Sequence, residues 1–161
     1  MAYTITPSIK GLFKGCINLA TISSGYGSDT DGPFWFGGDH ITHTDEAFMN
    51  CTSLKRTYPT LGPTPKHYSA VREFCNSGII TAYIYAPGEQ IDHDVDWTEC
   101  FKDCKDLTSI ILEEDLSING TLNMTRMFEN CTSLTATPTY KGKKLWEWSG
   151  VQDSYGYVIA K

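Results

Sequence analysis

One cluster of histidines and acids has the residue types and spacing of a metal site. Asp39, His40 and His43 precede Asp45 and Glu46, and neutral imidazoles with carboxylates suit Zn²⁺ or a similar ion. The alternative is that His43 caps a helix. The two following acids would then lie in its first turn and complement the helix dipole. We favour the cap, so the sequence predicts no metal site here.

A second acidic stretch has the alternating spacing of a calcium-binding loop. Residues 92–96 read Asp-His-Asp-Val-Asp. A calcium loop of the EF-hand type needs a glycine at its sixth position and a closing glutamate. Trp97 stands at the sixth position, and the glutamate is missing. A polar loop that leads into a helix cap at Asp96 explains the same residues, and we favour that interpretation.

Catalysis would have to rely on the acids of a glycine-rich loop. A small hydrolase could use Asp29, Asp31, Asp39 and His40, and it would require them to converge in one pocket. The chain has neither the Gly-x-Ser-x-Gly turn of a serine nucleophile nor a phosphate-binding P-loop. The sequence therefore predicts no enzyme, no catalytic residue and no cofactor.

Composition and charge limit the classes of partner. The chain has 161 residues and a net charge of -6, with scattered Lys and Arg residues, whereas nucleic-acid binders gather basic residues on one face. No apolar run approaches the roughly 20 residues that span a bilayer, so we expect neither nucleic acid nor membrane as a partner. The first residues, Met-Ala-Tyr-Thr-Ile, lack the features of a signal peptide. We therefore expect a location in a virion or the cytoplasm in preference to the cell surface.

A recurring motif organises the rest of the chain. Phe-x-x-Cys-x-x-Leu occurs four times, and a fifth version has Ser77 in place of the cysteine and Ile80 in place of the leucine. The five phenylalanines are Phe13, Phe48, Phe74, Phe101 and Phe128, and their spacings are 35, 26, 27 and 27 residues. A near-constant period of this length is typical of repeat proteins in which each unit packs on its neighbours.

The pattern within each unit predicts a short helix, a turn and a strand. Ser69, Asp96 and Asn123 stand five residues before the phenylalanine and suit helix N-caps. Phenylalanine and cysteine at i and i+3 would share one helix face. The β-branched stretches at residues 80–85 and 107–112 then read as strands. The expected fold class is an α/β repeat solenoid of about five helix-turn-strand units.

The cysteine positions argue against a disulfide framework. Cys16, Cys51, Cys104 and Cys131 occupy one repeat position, and a scheme of disulfide pairs would not easily tolerate a serine in the fifth copy. We expect small buried side chains with free thiols there. Cys75 and Cys100 lie outside that position. They are the two candidates for pairing or reactivity.

The whole chain, residues 1–161, is expected to form one domain. Repeats would occupy roughly residues 10–143, with a glycine-rich insertion loop at 23–43 and a β-hairpin at 144–161 that caps the stack. These two irregular segments carry aromatic residues that could contact a partner. The candidate binding residues are Phe34, Trp35, Phe36, Trp146, Trp148, Tyr155 and Tyr157. The alternative is that half of them only close the core at the ends of the stack.

The motif resembles the BspA-type leucine-rich repeats. Residues 127–138, Met-Phe-Glu-Asn-Cys-Thr-Ser-Leu-Thr-Ala-Thr-Pro, are similar to the repeats of bacterial surface proteins, and the resemblance covers roughly residues 10–140. It implies a leucine-rich-repeat-like stack and offers no catalytic residue. Members of that family are mostly adhesins of host-associated bacteria, and similar repeats occur in proteins of the phages that infect them.

These observations lead to one expected function and two alternatives. We expect a non-enzymatic protein- or glycan-binding or structural module, namely a phage virion or accessory protein. Its partner would be a neighbouring virion subunit, a host protein or a surface glycan, and an exposed sheet edge could also support a homo-oligomer. The alternatives are a fragment of a bacterial surface adhesin and an intracellular inhibitor that binds a host protein.

Overall fold

The folded chain consists of turns and short strands. The computed structural model describes residues 8–21, 33–34, 41–55, 58–59, 68–84, 92–112, 120–134, 139–140 and 143–144. Its strands are β1 (Pro33–Phe34), β2 (Tyr58–Pro59), β3 (Thr81–Ile84), β4 (Val95–Asp96), β5 (Ser109–Leu112), β6 (Leu122–Asn123), β7 (Thr139–Tyr140) and β8 (Lys143–Lys144). Within these ranges no residue is helical. The predicted fold class, a solenoid of helix-turn-strand units, is therefore wrong.

The five versions of the motif lie side by side in parallel. We call residues 8–19, 43–54, 69–80, 96–107 and 123–134 copies 1 to 5. Parallel backbone pairing joins Ser8 to His43, His43 to Ser69, and Ser69 to Asp96. The pairing of β4 with β6 continues the series by joining Asp96 to Asn123. Each copy therefore begins beside the first residue of the next copy.

Overlapping turns replace the predicted helix in each copy. In copy 2, the N–H groups of Ala47 and Met49 donate to the carbonyls three residues earlier, at 3.0 and 3.2 Å. Glu46 and Asn50 have φ values of 57° and 64°, in the left-handed region that interrupts an α-helix. The intervening N–H groups donate across to the next copy, as Phe48 does to the carbonyl of Glu73 at 2.8 Å. A helix would need those donors for its own bonds.

The residues predicted as helix caps start the turns instead. A carboxylate oxygen of Asp96 accepts the N–H of Thr98 at 2.9 Å, and the amide oxygen of Asn123 accepts that of Thr125 at 3.1 Å. This bond to the backbone two residues ahead defines an Asx-turn. Asp and Asn favour helix caps and Asx-turns for the same chemical reason, which is why the sequence pattern did not separate them.

A row of stacked phenylalanine rings forms the centre of the core. Ring centroids of neighbouring copies are 5.3, 5.3, 5.4 and 5.7 Å apart from Phe13 to Phe128, with rings nearly parallel. In copies 2, 4 and 5 the last residue of the motif is buried, namely Leu54, Leu107 and Leu134. In copy 3 the predicted residue Ile80 is 40% exposed, and its neighbour Ile79 is buried. Trp97 fills the largest buried position. Burial of these side chains is the main stabilising contribution that the described residues show.

Three further strand pairs lie outside the five copies. Strand β3 pairs with β5 in parallel, with Thr81 opposite Ser109 and Ile84 opposite Leu112, and both strands fall in the stretches predicted as strands. Strand β1 pairs with β2 in parallel, and β7 pairs with β8 antiparallel. Of the predicted insertion loop only residues 33–34 and 41–43 are described, and of the predicted hairpin at 144–161 only residue 144.

Candidate functional site

In the first cluster that was considered for metal binding, Asp45 is held by hydrogen bonds and an ion pair. One oxygen of Asp45 accepts from the hydroxyl of Ser69 and from the N–H of Val71 at 3.0 Å, and Lys10 approaches its other oxygen at 3.4 Å. Burial raises the pKa of Asp45, but these three donors outweigh it and the net pKa is lowered. No group of His, Cys, Asp and Glu in the described ranges could hold a metal ion. Asp29, Asp31, Asp39 and His40 lie outside those ranges.

Glu46 belongs to a row of charges that joins neighbouring copies. Lys14 lies 2.6 Å and Arg72 3.0 Å from its carboxylate, and the hydrogen bond from Lys14 holds its pKa below the usual value. Glu99 repeats this arrangement with Arg126 at 3.1 Å and Lys102 at 3.2 Å. Exposed pairs of this kind each contribute roughly 0–1 kcal/mol. With Glu129, which lies 3.2 Å from Lys102, the described members of the row are four positive and three negative side chains, so their charges nearly cancel.

The predicted calcium-like stretch forms a polar loop. Asp94 accepts the N–H of Thr121 at 2.7 Å, and Asp96 accepts both the N–H and the hydroxyl of Thr98, at 2.9 and 2.6 Å. Asp94 thus holds the backbone just before copy 5, and Asp96 holds the backbone of its own copy.

The repeated cysteine is a hydrogen-bond donor inside the stack. The thiols of Cys51, Cys104 and Cys131 each donate to the carbonyl of the motif phenylalanine in the preceding copy, at 3.0 to 3.1 Å. Burial raises the pKa of all three, that of Cys104 to about 12. Ser77 takes the same position and lies 3.4 Å from the Cys104 sulfur. All six cysteines are unpaired, and Cys75 and Cys100 are buried.

A polar group lies within the core between copies 2 and 4. Glu73 is buried and accepts the hydroxyl of Thr44 at 2.8 Å. Its burial raises its pKa to about 8, against the lowering effect of the Thr44 bond. The indole N–H of Trp97 is also buried, and it has no hydrogen-bond partner. A neutral carboxyl at this position avoids the larger cost of a buried charge.

Sequence reasoning missed a row of aromatic rings at the surface. The Tyr68 ring stacks between His43, at a centroid distance of 6.2 Å, and His93, at 4.1 Å. Tyr68 is 42% exposed. No sequence pattern indicated this row, because the three residues occupy different positions relative to the motif.

Copy 1 exposes positions that every other copy buries. Leu12 is 56% exposed, although the aligned residues of copies 2 to 5 are all buried: Ala47, Glu73, Cys100 and Met127. Cys16 is exposed, although its aligned residues are also buried: Cys51, Ser77, Cys104 and Cys131. The prediction of a buried cysteine is therefore wrong for Cys16. We call this surface of Leu12, Cys16 and the 58% exposed Ile17 the open end.

The predicted aromatic binding residues fall almost entirely beyond the described ranges. Phe34 lies in β1. Those outside the described residues are Trp35, Phe36, Trp146, Trp148, Tyr155 and Tyr157. Their role in binding therefore stays a prediction.

No family model, no curated protein and no solved structure matches the chain. No helix in the described part of the chain is long and apolar enough to cross a membrane.

Proposed function

We propose that this chain is a non-enzymatic binding or structural module that contacts another protein through its open end. The observation that carries the proposal is the exposure of Leu12 and Cys16 at positions that copies 2 to 5 bury. Each later copy shows how these positions pack when a neighbour covers them. Exposed apolar surface of this kind is typical of an interaction site.

The biological setting remains a proposal that rests on the resemblance to BspA-type repeats. We favour a phage virion or accessory protein, whose partner is a neighbouring virion subunit, over a bacterial adhesin fragment or an intracellular inhibitor of a host protein. In the described part of the chain, Asp45, Asp94 and Asp96 hold the backbone or neighbouring side chains, and the residues considered for an enzyme, Asp29, Asp31, Asp39 and His40, lie outside it.

A surface glycan is the second candidate partner, and the exposed ring of Tyr68 favours it. Tyrosine presents an apolar body and a polar hydroxyl, which suits contact with partly hydrated ligands. The flanking histidines fix the orientation of the ring through the contacts at 6.2 and 4.1 Å. Replacement of Tyr68 by Ala would abolish glycan binding and leave a contact at the open end unchanged.

Fractionation of a producing culture tests the proposal. The chain would be quantified by mass spectrometry in cytosol, medium and pelleted particles, as wild type, as Leu12→Asp and as Lys105→Asp. Lys105 is exposed on copy 4 and serves as the matched control. We expect wild type and Lys105→Asp in the particles and Leu12→Asp depleted from them. A wild-type pool confined to the cytosol would contradict the virion setting, and equal incorporation of all three would contradict the role of the open end.

A further inference from the structure

Four backbone hydrogen bonds recur at every boundary between neighbouring copies, and these four point in the same direction along the stack. Copy 1 donates four N–H groups to carbonyls of copy 2, with distances from 2.8 to 3.1 Å, and the same four bonds recur between copies 2 and 3, 3 and 4, and 4 and 5. In every case the earlier copy supplies the N–H and the later copy the carbonyl. The two ends of the stack are therefore chemically different.

The open end presents a row of carbonyl acceptors. The carbonyls of His43, Asp45, Ala47 and Met49 accept the four bonds from copy 1. By the alignment of the copies, the equivalent carbonyls of copy 1 belong to Ser8, Lys10, Leu12 and Lys14. None of these four accepts a backbone hydrogen bond from the described residues. Backbone acceptors at the edge of such an array are a template for pairing with another chain.

The thiol of Cys16 adds a donor of defined direction. Cys51 donates its thiol hydrogen to the Phe13 carbonyl of the preceding copy, and Cys104 and Cys131 make the equivalent bonds to Phe74 and Phe101. Cys16 occupies the same repeat position and is exposed. Its thiol therefore lies on the side of copy 1 where a preceding unit would offer a carbonyl.

The far end of the stack argues against a second copy of this chain as the occupant. Met127, Phe128, Cys131 and Leu134 of copy 5 are all buried, so their side chains are not accessible to the open end of another molecule. Two chains that met through their open ends would place carbonyl rows against each other. The first arrangement would require the covered side chains of copy 5 to be exposed, and the second lacks donors because the N–H groups of copy 1 already donate to copy 2.

We infer that the open end binds the edge of a partner protein that presents backbone N–H groups in a row, as a turn repeat of the same kind does. The inference rests on the proposed function and specifies its partner. The partner edge donates to the carbonyls of Ser8, Lys10, Leu12 and Lys14. It covers Leu12 with an apolar side chain and offers a carbonyl to the Cys16 thiol. This is β-augmentation carried out by turns in place of a strand.

A tethered unit tests whether the open end accepts such an edge. A duplicate of residues 69–95 would be inserted directly before Ser8 in the full chain. This keeps the spacing that separates Ser69 from Asp96 in the native stack. The matched control carries Phe74→Asp in the inserted unit only. A second version carries a duplicate of residues 96–122, which keeps the spacing from Asp96 to Asn123. It provides an independent test if the first inserted unit does not fold.

The readout is the rate at which a thiol reagent modifies Cys16, with the site identified by mass spectrometry. We expect either functional insert to slow modification of Cys16 by roughly tenfold or more, because a covered thiol reacts only when the covering unit opens transiently. The Phe74→Asp insert should leave the rate unchanged. Unchanged reactivity with both functional inserts would overturn the inference.

Sedimentation of the native chain tests whether a second copy of this chain, and not a different protein, binds the open end. A monomer is expected up to about 100 µM, because the copy 5 side chains that a second molecule would have to cover are already buried. A dimer in which Cys16 becomes protected would make a second copy the occupant and would overturn the inference while leaving the open end as an interface. Failure of the culture fractionation with success of the tethered unit would instead reject only the biological setting.

Discussion

Glu73 makes the stability of this fold depend on pH in the direction opposite to that of most acids. Its pKa is raised from 4.5 to about 8, chiefly because the carboxyl is buried. The folded state therefore holds a proton that the unfolded chain has released between these two pH values. Folding stability is complete below about pH 4.5 and falls as pH rises towards 8. At about 1.4 kcal/mol for each pH unit, the loss amounts to roughly 5 kcal/mol across the whole range.

Glu73→Gln isolates this contribution. Glutamine keeps a polar group for the Thr44 hydroxyl, which lies 2.8 Å from the carboxylate, and it cannot ionise. We expect the variant and the wild type to have similar free energies of unfolding near pH 5. At pH 8 the variant should be more stable by roughly 4 kcal/mol, or somewhat less if the core relaxes around the charge.

Urea denaturation at half-unit steps from pH 5 to 8.5 provides the measurement. Asp106→Asn is the matched control, because Asp106 is about half exposed and its removal should leave the pH dependence nearly unchanged. A stability difference between Glu73→Gln and wild type that stays constant with pH would refute the reasoning. A difference that grows towards low pH would show that the carboxyl is ionised in the folded state.

Three further predictions concern the backbone and the thiols. Gly78→Ala would place a Cβ 2.2 Å from the carbonyl oxygen of Thr52, so we expect a loss of more than about 2 kcal/mol in urea denaturation; a loss below 0.5 kcal/mol would show that the copies can separate at this point. Gly15→Ala meets no atom within 4 Å but has a φ of 77°, and its cost should be only about 1–2 kcal/mol; an equal loss in the two variants would contradict the steric argument. Cys16 should react with a thiol reagent under native conditions well before the buried Cys104, whose pKa is raised to about 12, and mass spectrometry of the labelled peptides would show whether that order is reversed.

The spacing of the motif predicted which residues of the copies lie side by side. Alignment on the phenylalanines places Ser77 with the cysteines, and in the structure Ser77 contacts Cys104 in the next copy. That alignment uses only the spacing of the large apolar residues. The core requires this spacing whether each copy folds as a helix or as turns. It could therefore be read from the sequence even though the predicted helix was wrong.

The local conformation could not be read in the same way. Asn50 and Asn76 have residue types that tolerate positive φ, but Glu46 and Arg72 do not favour it, and all four adopt it. Their strain is offset by hydrogen bonds to neighbouring copies and by ion pairs such as Arg72 with Glu46. Such long-range compensation has no signature in a short window of sequence. The open end was missed for a related reason, since Leu12 differs from its aligned residues only in what covers it.

The repetition of the same backbone bonds between copies also sets how the molecule would respond to force. Each boundary between copies is held by at least four backbone bonds, and a pull on the two chain ends would load the boundaries one after another. Rupture of one boundary releases a single unit of 27 residues, the spacing of the last three phenylalanines. At about 3.6 Å per extended residue this corresponds to steps of roughly 90–100 Å. The stack would extend as a ladder of similar steps, and thus absorb mechanical work one copy at a time.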